Sequence, residues 1–96
     1  MPIPIASDHA GLPLKQALIA ALQAEGLSFD DLGTHGPESV DYPDFAHAVS
    51  AKVAGIEGFG ILVCGTGIGM AIAANRHPGI RAAVLHYATA ARLTRA

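Results

Sequence analysis

The chain has 96 residues, of which 51% are hydrophobic and 15% are charged, and its formal net charge at pH 7 is −2. This length allows a single domain over residues 1–96 with a thin core, so oligomerisation would supply further burial. The single cysteine excludes an internal disulfide framework, and no spacing of cysteine and histidine matches a zinc finger.

The chain begins with a predicted strand and a predicted helix. Residues 3–6 form a short apolar run, which favours a strand. Residues 12–25 carry leucine at every fourth position, and Gly26 then provides a stop signal, so we predict an amphipathic helix. The leucines of that pattern are Leu14, Leu18 and Leu22.

A second strand and a second helix follow. Apolar and polar residues alternate over residues 27–32, which predicts a strand, and residues 33–41 have the composition of a loop. Residues 41–44 resemble the start of a helix, with proline in the first turn and acidic side chains near the positive end of the helix dipole. The side chains predicted to face the core from this helix are Phe45, Val49 and Val53.

The second half of the chain repeats the alternation. Residues 60–63 predict a buried strand, 70–75 a helix, 80–85 a fourth strand, and Ala88 the start of a fourth helix. Strands that alternate with helices indicate a parallel sheet covered by helices. We therefore predict an α/β fold, namely a Rossmann-like three-layer α/β/α sandwich with four parallel strands.

Chemically active side chains follow the first and third predicted strands. Asp8 and His9 come directly after the first strand, and Cys64 ends the third. Ligands of open α/β sheets bind at the carboxyl ends of the strands, so the two groups would face one another if these strands are neighbours. Two other readings remain open: Cys64 as a small buried apolar residue, and Asp8 as a helix cap beside a surface His9.

A glycine-rich loop follows Cys64. Gly65, Gly67 and Gly69 allow close approach of the backbone to a ligand, and the helix after them directs its free N–H groups at the loop, which favours an anion. The loop reads G-x-G-x-G, and no acidic residue follows Glu57, so it is not a dinucleotide fingerprint. It also lacks the ending of a Walker A loop, which disfavours ATP.

The positions of the charged residues and histidines limit the kinds of ligand that we expect this chain to bind. All acidic residues lie within residues 1–57, whereas residues 58–96 carry four arginines and no carboxylate. The arginines are unclustered, so they suit solvent or an anionic small molecule such as a phosphate ester better than nucleic acid. The remaining histidines share no metal-ligand spacing, and we expect surface or structural roles and no metal for all four. They are His35, His47, His77 and His86.

The sequence carries no feature that predicts export or membrane insertion. No basic segment with an apolar core opens the chain, and no apolar stretch approaches the ~20 residues that span a bilayer. A free thiol without a disulfide framework suits a reducing compartment. We therefore expect a cytoplasmic protein that binds neither membrane nor nucleic acid.

Several sequence blocks, taken in order, resemble one family of sugar-phosphate isomerases. It contains ribose 5-phosphate isomerase B and the subunits of galactose 6-phosphate isomerase. The CGTGIGM block is the most specific, and the resemblance covers essentially the whole chain. The blocks are SDHAG at 7–11, DYPD at 41–44, CGTGIGM at 64–70, AANR at 73–76 and GIRAA at 79–83.

The resemblance implies reversible aldose–ketose isomerisation of a phosphorylated sugar, most simply ribose 5-phosphate to ribulose 5-phosphate, without metal or cofactor. The residue matching Cys64 is the base that moves a proton between C1 and C2 through a cis-enediolate. Backbone amides of the loop from Gly65 through Gly67 to Gly69 stabilise the oxyanion, and Thr66 assists at the same end.

Further roles come with the same resemblance. Asp8 would assist opening of the sugar ring, His9 would contact the phosphate, and Tyr42 would line the pocket. One branch of the family uses a glutamate as base at the position of Met70. Because methionine cannot act as a base, this chain resembles the branch that uses cysteine.

The chain also departs from the family pattern. Family members continue for roughly half as many residues again, through a His-Asn-Asp motif that opens the ring and arginines that hold the phosphate, neither of which occurs in this sequence. Their site lies between two subunits of a homodimer, or of a dimer of dimers. The alternatives are therefore a catalytically silent sugar-phosphate binding module, a partner subunit, or a galactose 6-phosphate isomerase subunit.

Overall fold

A computed structural model describes residues 2–35, 42–54, 58–65, 68–85, 89 and 92–93, and for 42–44 and 68 it describes the backbone alone. Strands and helices alternate along the chain as the sequence predicts. The elements are β1 (Ile3–Ser7), α1 (Leu12–Gln23), β2 (Phe29–Asp31), α2 (Tyr42–Ala54), β3 (Ile61–Val63) and α3 (Ile68–Asn75).

The three strands form one parallel sheet in the order β2-β1-β3. In the β1–β2 pair, Ile5 is opposite Asp31, and in the β1–β3 pair Ser7 is opposite Val63. The parallel α/β arrangement is confirmed. The first and third strands are neighbours, which is the condition for the two predicted groups to face one another.

Helix α1 begins and ends where its sequence signals lie, but its leucine face is not its most buried face. It ends in a Schellman arrangement, in which Gly26 has a φ of 91° and the Leu27 N–H donates to the Leu22 carbonyl at 3.1 Å. Leu14 is 57% exposed, whereas its neighbour Lys15 is completely buried. The helix is confirmed, but the predicted leucine pattern does not mark its buried side, because one end of that pattern points to solvent.

Helix α2 packs closely on the sheet through Val49 and Val53. A Cβ atom added to Gly60, just before β3, would lie 2.6 Å from Val49 Cγ1 and 2.9 Å from Val53 Cγ2. The helix thus lies directly over the start of β3. The buried apolar residues of the described chain come from β1, α2, β3 and α3: Ile5, Ala6, Ala46, Val49, Val63, Met70, Ala73 and Ala74.

The segment after α3 corrects the prediction of a fourth strand. Residues 80–85 form no strand. The Asn75 side chain donates to the Ala82 carbonyl at 3.0 Å and accepts from the Ala82 N–H at 2.8 Å. Both backbone groups of Ala82 are therefore bonded to a side chain instead of a neighbouring strand.

The predicted fourth helix falls mostly outside the described residues. Thr89, Arg92 and Leu93 are helical, and Leu93 is 72% exposed. Among the helices the structure describes, none is long and apolar enough to cross a membrane.

Candidate functional site

The carboxyl ends of β1 and β3 bring Asp8 and Cys64 side by side. Ser7 and Val63 are the last paired residues of the two strands, so Asp8 and Cys64 are the next residue on each. The Asp8 N–H donates to the Val63 carbonyl at 3.2 Å, which extends the contact one step past the sheet. Backbone pairing of the strands thus fixes the separation of the two loops.

The start of α1 presses directly against the end of β3 through Gly11. A Cβ atom at Gly11 would lie 2.4 Å from the Val63 carbonyl oxygen and 2.9 Å from the Cys64 nitrogen. Such distances are too short for any side chain. Glycine at this position is therefore required for α1 to begin beside the cysteine.

The Asp8 carboxylate has a structural contact as well as a place at the site. Its Oδ1 accepts the Gly11 N–H at 2.8 Å, while Gly11 itself occupies the N-cap position of α1 and provides no side-chain cap. Asp8 therefore holds the turn before the helix, which partly matches the alternative of a capping role. The bond occupies one of its two oxygens, and the side chain is half-buried.

An open cavity of about 260 Å³ lies between the two loops and the start of α3. His9 is exposed and Cys64 half-buried, whereas Met70 is 1% exposed and forms an apolar wall. The cavity combines a carboxylate, an imidazole and a thiol with glycine backbone. The residues that line it are Asp8, His9, Ala10, Cys64, Gly65, Gly69 and Met70.

The structure brings together most of the site residues that the sequence predicts. The predicted residues in the cavity lining are Asp8, His9, Cys64, Gly65 and Gly69. Thr66 and Gly67 lie outside the described residues. Tyr42 is the first residue of α2, and its side chain also lies outside what the structure describes.

Histidines away from the cavity form one contact between helices. His47 Nδ1 on α2 lies 2.5 Å from His77 Nε2, which follows α3, and the rings are tilted by 55°. The pair joins α2 to the segment after α3 at the exposed surface. Within the described part of the chain, no group of three histidine, cysteine or acidic residues is placed to hold a metal ion.

A buried ion pair beside the site is absent from the sequence prediction. Lys15 Nζ donates to Asp31 Oδ1 at 2.7 Å and to the Thr34 carbonyl at 2.6 Å. Burial alone would raise the pKa of Asp31, but the hydrogen bonds from Lys15 and the Gly33 N–H, together with the charges of Lys15 and His35, outweigh it. They hold that pKa below its ordinary value of 3.8.

One sequence signal for this pair was available. Lys15 lies one helical turn after Gly11, on the side of α1 that meets the sheet. A lysine between exposed helical positions nevertheless has the pattern of a solvated residue. Its burial depends on the packing of α1, which periodicity alone does not give.

Fold and site together define a parallel α/β protein with a thiol and a carboxylate at the carboxyl end of its sheet. The model of the Ribose/Galactose Isomerase family matches residues 3–96, and the chain belongs to that family.

Two relatives that match most of this chain are named as ribose 5-phosphate isomerase B. Ribose-5-phosphate isomerase B of Escherichia coli is 46% identical over 90 residues, which cover 92% of this chain and 60% of that protein. Ribose-5-P isomerase B of Listeria innocua is 47% identical, and the match covers 90% of this chain and 59% of that protein. The chain thus spans about 60% of the length of these relatives.

Solved structures agree in fold. Ribose-5-phosphate isomerase B of Clostridium thermocellum superposes with a TM-score of 0.93 at 50% identity, covering 99% of this chain and 65% of that one. The ribose 5-phosphate isomerase of Thermotoga maritima gives the same TM-score and identity, with 98% and 66% covered. The matched part of these enzymes therefore shares the fold of this chain.

Proposed function

We propose that this chain carries the proton-transfer part of an aldose–ketose isomerase that converts ribose 5-phosphate to ribulose 5-phosphate, a reaction of the pentose phosphate pathway. The observation that supports this proposal is that Asp8 and His9 line the same cavity as Cys64 and Gly65. Membership of the Ribose/Galactose Isomerase family supports the same reaction class.

In the proposed chemistry, Cys64 acts as a thiolate base on the open-chain sugar. It takes the proton from C2, the C–H electrons form the C1–C2 double bond, and O1 becomes an oxyanion. The thiol then returns the proton to C1 while the hydroxyl proton of O2 passes to O1. The aldose has become a ketose, and Cys64 is again a thiolate.

Two groups of residues surround this step in the proposal. Backbone N–H groups of Gly65, Gly67 and Gly69, assisted by Thr66, stabilise the enediolate oxygens, and such donors typically lower the barrier by about 3–4 kcal/mol. Residues of the opposite loop and of α2 handle the rest of the substrate. Asp8 assists ring opening, His9 meets the phosphate, and Tyr42 lines the pocket.

The proposal extends to the architecture around the site. Parallel strands in one sheet are joined by right-handed crossovers, so the order β2-β1-β3 favours α1 and α2 on opposite faces, as in a three-layer sandwich. As in the family it resembles, we expect a homodimer whose partner completes the site, located in the cytoplasm.

The test is transfer of the C2 proton of ribose 5-phosphate, followed as ribulose 5-phosphate formation and as deuterium uptake from D₂O by NMR. Wild type should show both, and Cys64→Ala should lower both by about 10³-fold. Lys52→Met is the control, because Lys52 is an exposed residue of α2 that is not in the cavity lining. Full activity in Cys64→Ala would remove the cysteine from the mechanism.

Two alternatives are separated by further arms of this experiment. Conversion of galactose 6-phosphate in preference to ribose 5-phosphate would reassign the substrate within the same family, whose description includes both sugars. A rise in Tm with ribose 5-phosphate, without turnover or deuterium uptake, would identify a binding module. Absence of both binding and turnover would contradict the proposal.

A further inference from the structure

Lys15 places an ammonium group inside the protein on the β2 side of β1. The residue is 0% exposed, and its Nζ contacts Asp31 Oδ1 at 2.7 Å and the Thr34 carbonyl at 2.6 Å. A group so buried cannot touch a substrate. Any effect that it has on the reaction must therefore pass through the residues that it holds.

The ion pair holds the turn that follows β2. Asp31 Oδ1 accepts the Gly33 N–H at 3.1 Å in addition to the Lys15 ammonium. Lys15 therefore fixes the turn from two directions, through the Asp31 carboxylate and through the Thr34 carbonyl. Gly33 and Thr34 have little freedom to move while both contacts remain.

The turn at residues 33–34 also binds the last residue of β1. The Ser7 N–H donates to the Gly33 carbonyl at 2.7 Å, and the Thr34 N–H donates to the Ser7 carbonyl at 3.0 Å. Ser7 immediately precedes Asp8, whose N–H reaches the Val63 carbonyl and whose carboxylate accepts from Gly11. A continuous series of hydrogen bonds thus connects the buried ammonium to the loop that lines the cavity.

Stability alone does not explain a charged pair at this place. Apolar side chains of similar volume often stabilise a protein as well as an ion pair does, because a buried charge loses its hydration. An apolar pair, however, could not bond to the Thr34 carbonyl or the Gly33 N–H. What the ion pair provides is the fixed geometry of that turn.

We propose that Lys15 and Asp31 are positioning residues for the proposed isomerisation, which hold Asp8 and His9 in register with Cys64. This inference rests on the proposed function. The two residues take no part in proton transfer. They act by fixing the end of β1 through residues 33–34.

The chain offers a matched control on the adjacent residue of the same strand. Lys52 Nζ contacts Asp30 Oδ2 at 2.8 Å, with the two side chains 54% and 39% exposed. This pair also joins β2 to a helix, and it too is a contact between an ammonium and a carboxylate. It differs in being solvated and in its distance from the turn at 33–34.

The experiment tests three variants: Lys15→Met, Asp31→Leu and the double variant Lys15→Met/Asp31→Leu. The control is the double variant Lys52→Met/Asp30→Leu. Ribose 5-phosphate turnover is measured beside thermal unfolding. We expect kcat to fall at least tenfold in both variants that carry Lys15→Met, with KM changed less than threefold, and the control to keep the wild-type kcat. We expect the double variant Lys15→Met/Asp31→Leu to regain the wild-type Tm but not the wild-type kcat. Recovery of kcat together with Tm would show a merely structural role and overturn the proposal.

A second readout separates failure of this inference from failure of the proposed function. Amide hydrogen exchange at Asp8 and Gly11 reports the loop whether or not the chain turns over substrate. We expect exchange at least tenfold faster in Lys15→Met/Asp31→Leu at a Tm equal to that of wild type, and no change in the control pair. If wild type lacks turnover, this readout decides: unchanged protection of both amides overturns the positioning role.

Discussion

Strand β1 has a different neighbour on each side, and the two sides use polar residues differently. On the β1–β2 side, the carboxyl end is closed by Lys15 and Asp31, which bind one another and the turn after β2. On the β1–β3 side, the carboxyl end carries Asp8 and Cys64 and opens into a cavity. On one side the ammonium and carboxylate bind one another, and on the other the polar side chains line the cavity.

Glycine makes both sides possible, for different reasons. Gly11 lets the backbone of α1 contact the end of β3, where a Cβ atom would meet the Val63 carbonyl at 2.4 Å. Gly33 has a φ of 112°, and a Cβ atom there would lie 2.8 Å from the Phe45 ring. Close backbone approach is needed on the side of the cavity, and a left-handed turn on the side of the ion pair.

The largest effect should come from Cys64 on the open side. Cys64→Ala should lower turnover of ribose 5-phosphate by about 10³-fold, within the range for loss of a general base. Its free energy of unfolding should change by only about 1 kcal/mol, because the residue is half-buried and small. Steady-state kinetics and urea unfolding measure the two quantities. A loss of stability as large as the loss of activity would contradict a division between a chemical side and a structural side.

Gly11→Ala should give the largest loss of stability on the open side. The added methyl group would overlap the Val63 carbonyl, so α1 or β3 must shift, at a cost of about 3 kcal/mol. Gly65→Ala is the control for stability, since among the described residues its Cβ atom would meet only Ala10 Cβ, at an ordinary 3.8 Å. Urea unfolding of both variants tests the contact. Equal stabilities would show that α1 does not press on β3.

On the closed side, the two lysine–aspartate pairs should differ strongly in their contribution to stability. Lys15→Met removes the ammonium donor from Asp31 and from the Thr34 carbonyl and should cost about 2 kcal/mol. This lies below the ~3–5 kcal/mol of fully buried pairs because Asp31 is 31% exposed. Lys52→Met should cost about 0.5 kcal/mol, as is usual for solvated pairs. Similar losses in the two variants, measured by urea unfolding, would remove the distinction.

The open side of β1 was predictable from sequence, because its signals are local. Asp8 and Cys64 each lie at the end of an apolar run, and parallel topology brings the ends of neighbouring strands together. The glycine loop marks the same place. Bounds were less accurate: β2 is Phe29–Asp31, shorter than the predicted 27–32, although the Ser28 carbonyl still accepts the Ile3 N–H and the Leu32 N–H still donates to the Ile5 carbonyl.

The closed side and the segment after α3 were not predictable, because both depend on contacts between distant residues. Burial of Lys15 requires Asp31 and Thr34, which are 16 and 19 positions away. The apolar run at 80–85 has the composition of a strand, yet Asn75 binds both backbone groups of Ala82. Composition indicates what a segment can form, and the partner that it meets decides the outcome.

The smallest effect should be a pH dependence on the closed side. Hydrogen bonds and charge hold the pKa of Asp31 below its ordinary value of 3.8, so the folded state favours the carboxylate. That stabilisation is complete well above pH 3.8 and is lost as the pH falls through the lower pKa of the folded state. Asp31→Asn, which retains an acceptor for Lys15 but no charge, should be less stable than wild type by about 1 kcal/mol at neutral pH.

The Asp31→Asn variant allows the sign of this pH dependence to be measured directly. The difference in free energy of unfolding between wild type and Asp31→Asn should shrink as the pH is lowered from about 6 to about 2.5. Asp30→Asn is the control, because Asp30 lies in the adjacent, exposed pair. A difference that is constant across this range, or that grows toward acid, would mean that the carboxylate of Asp31 is not favoured by folding. The closed side would then owe its stability to packing around Lys15 rather than to the ion pair.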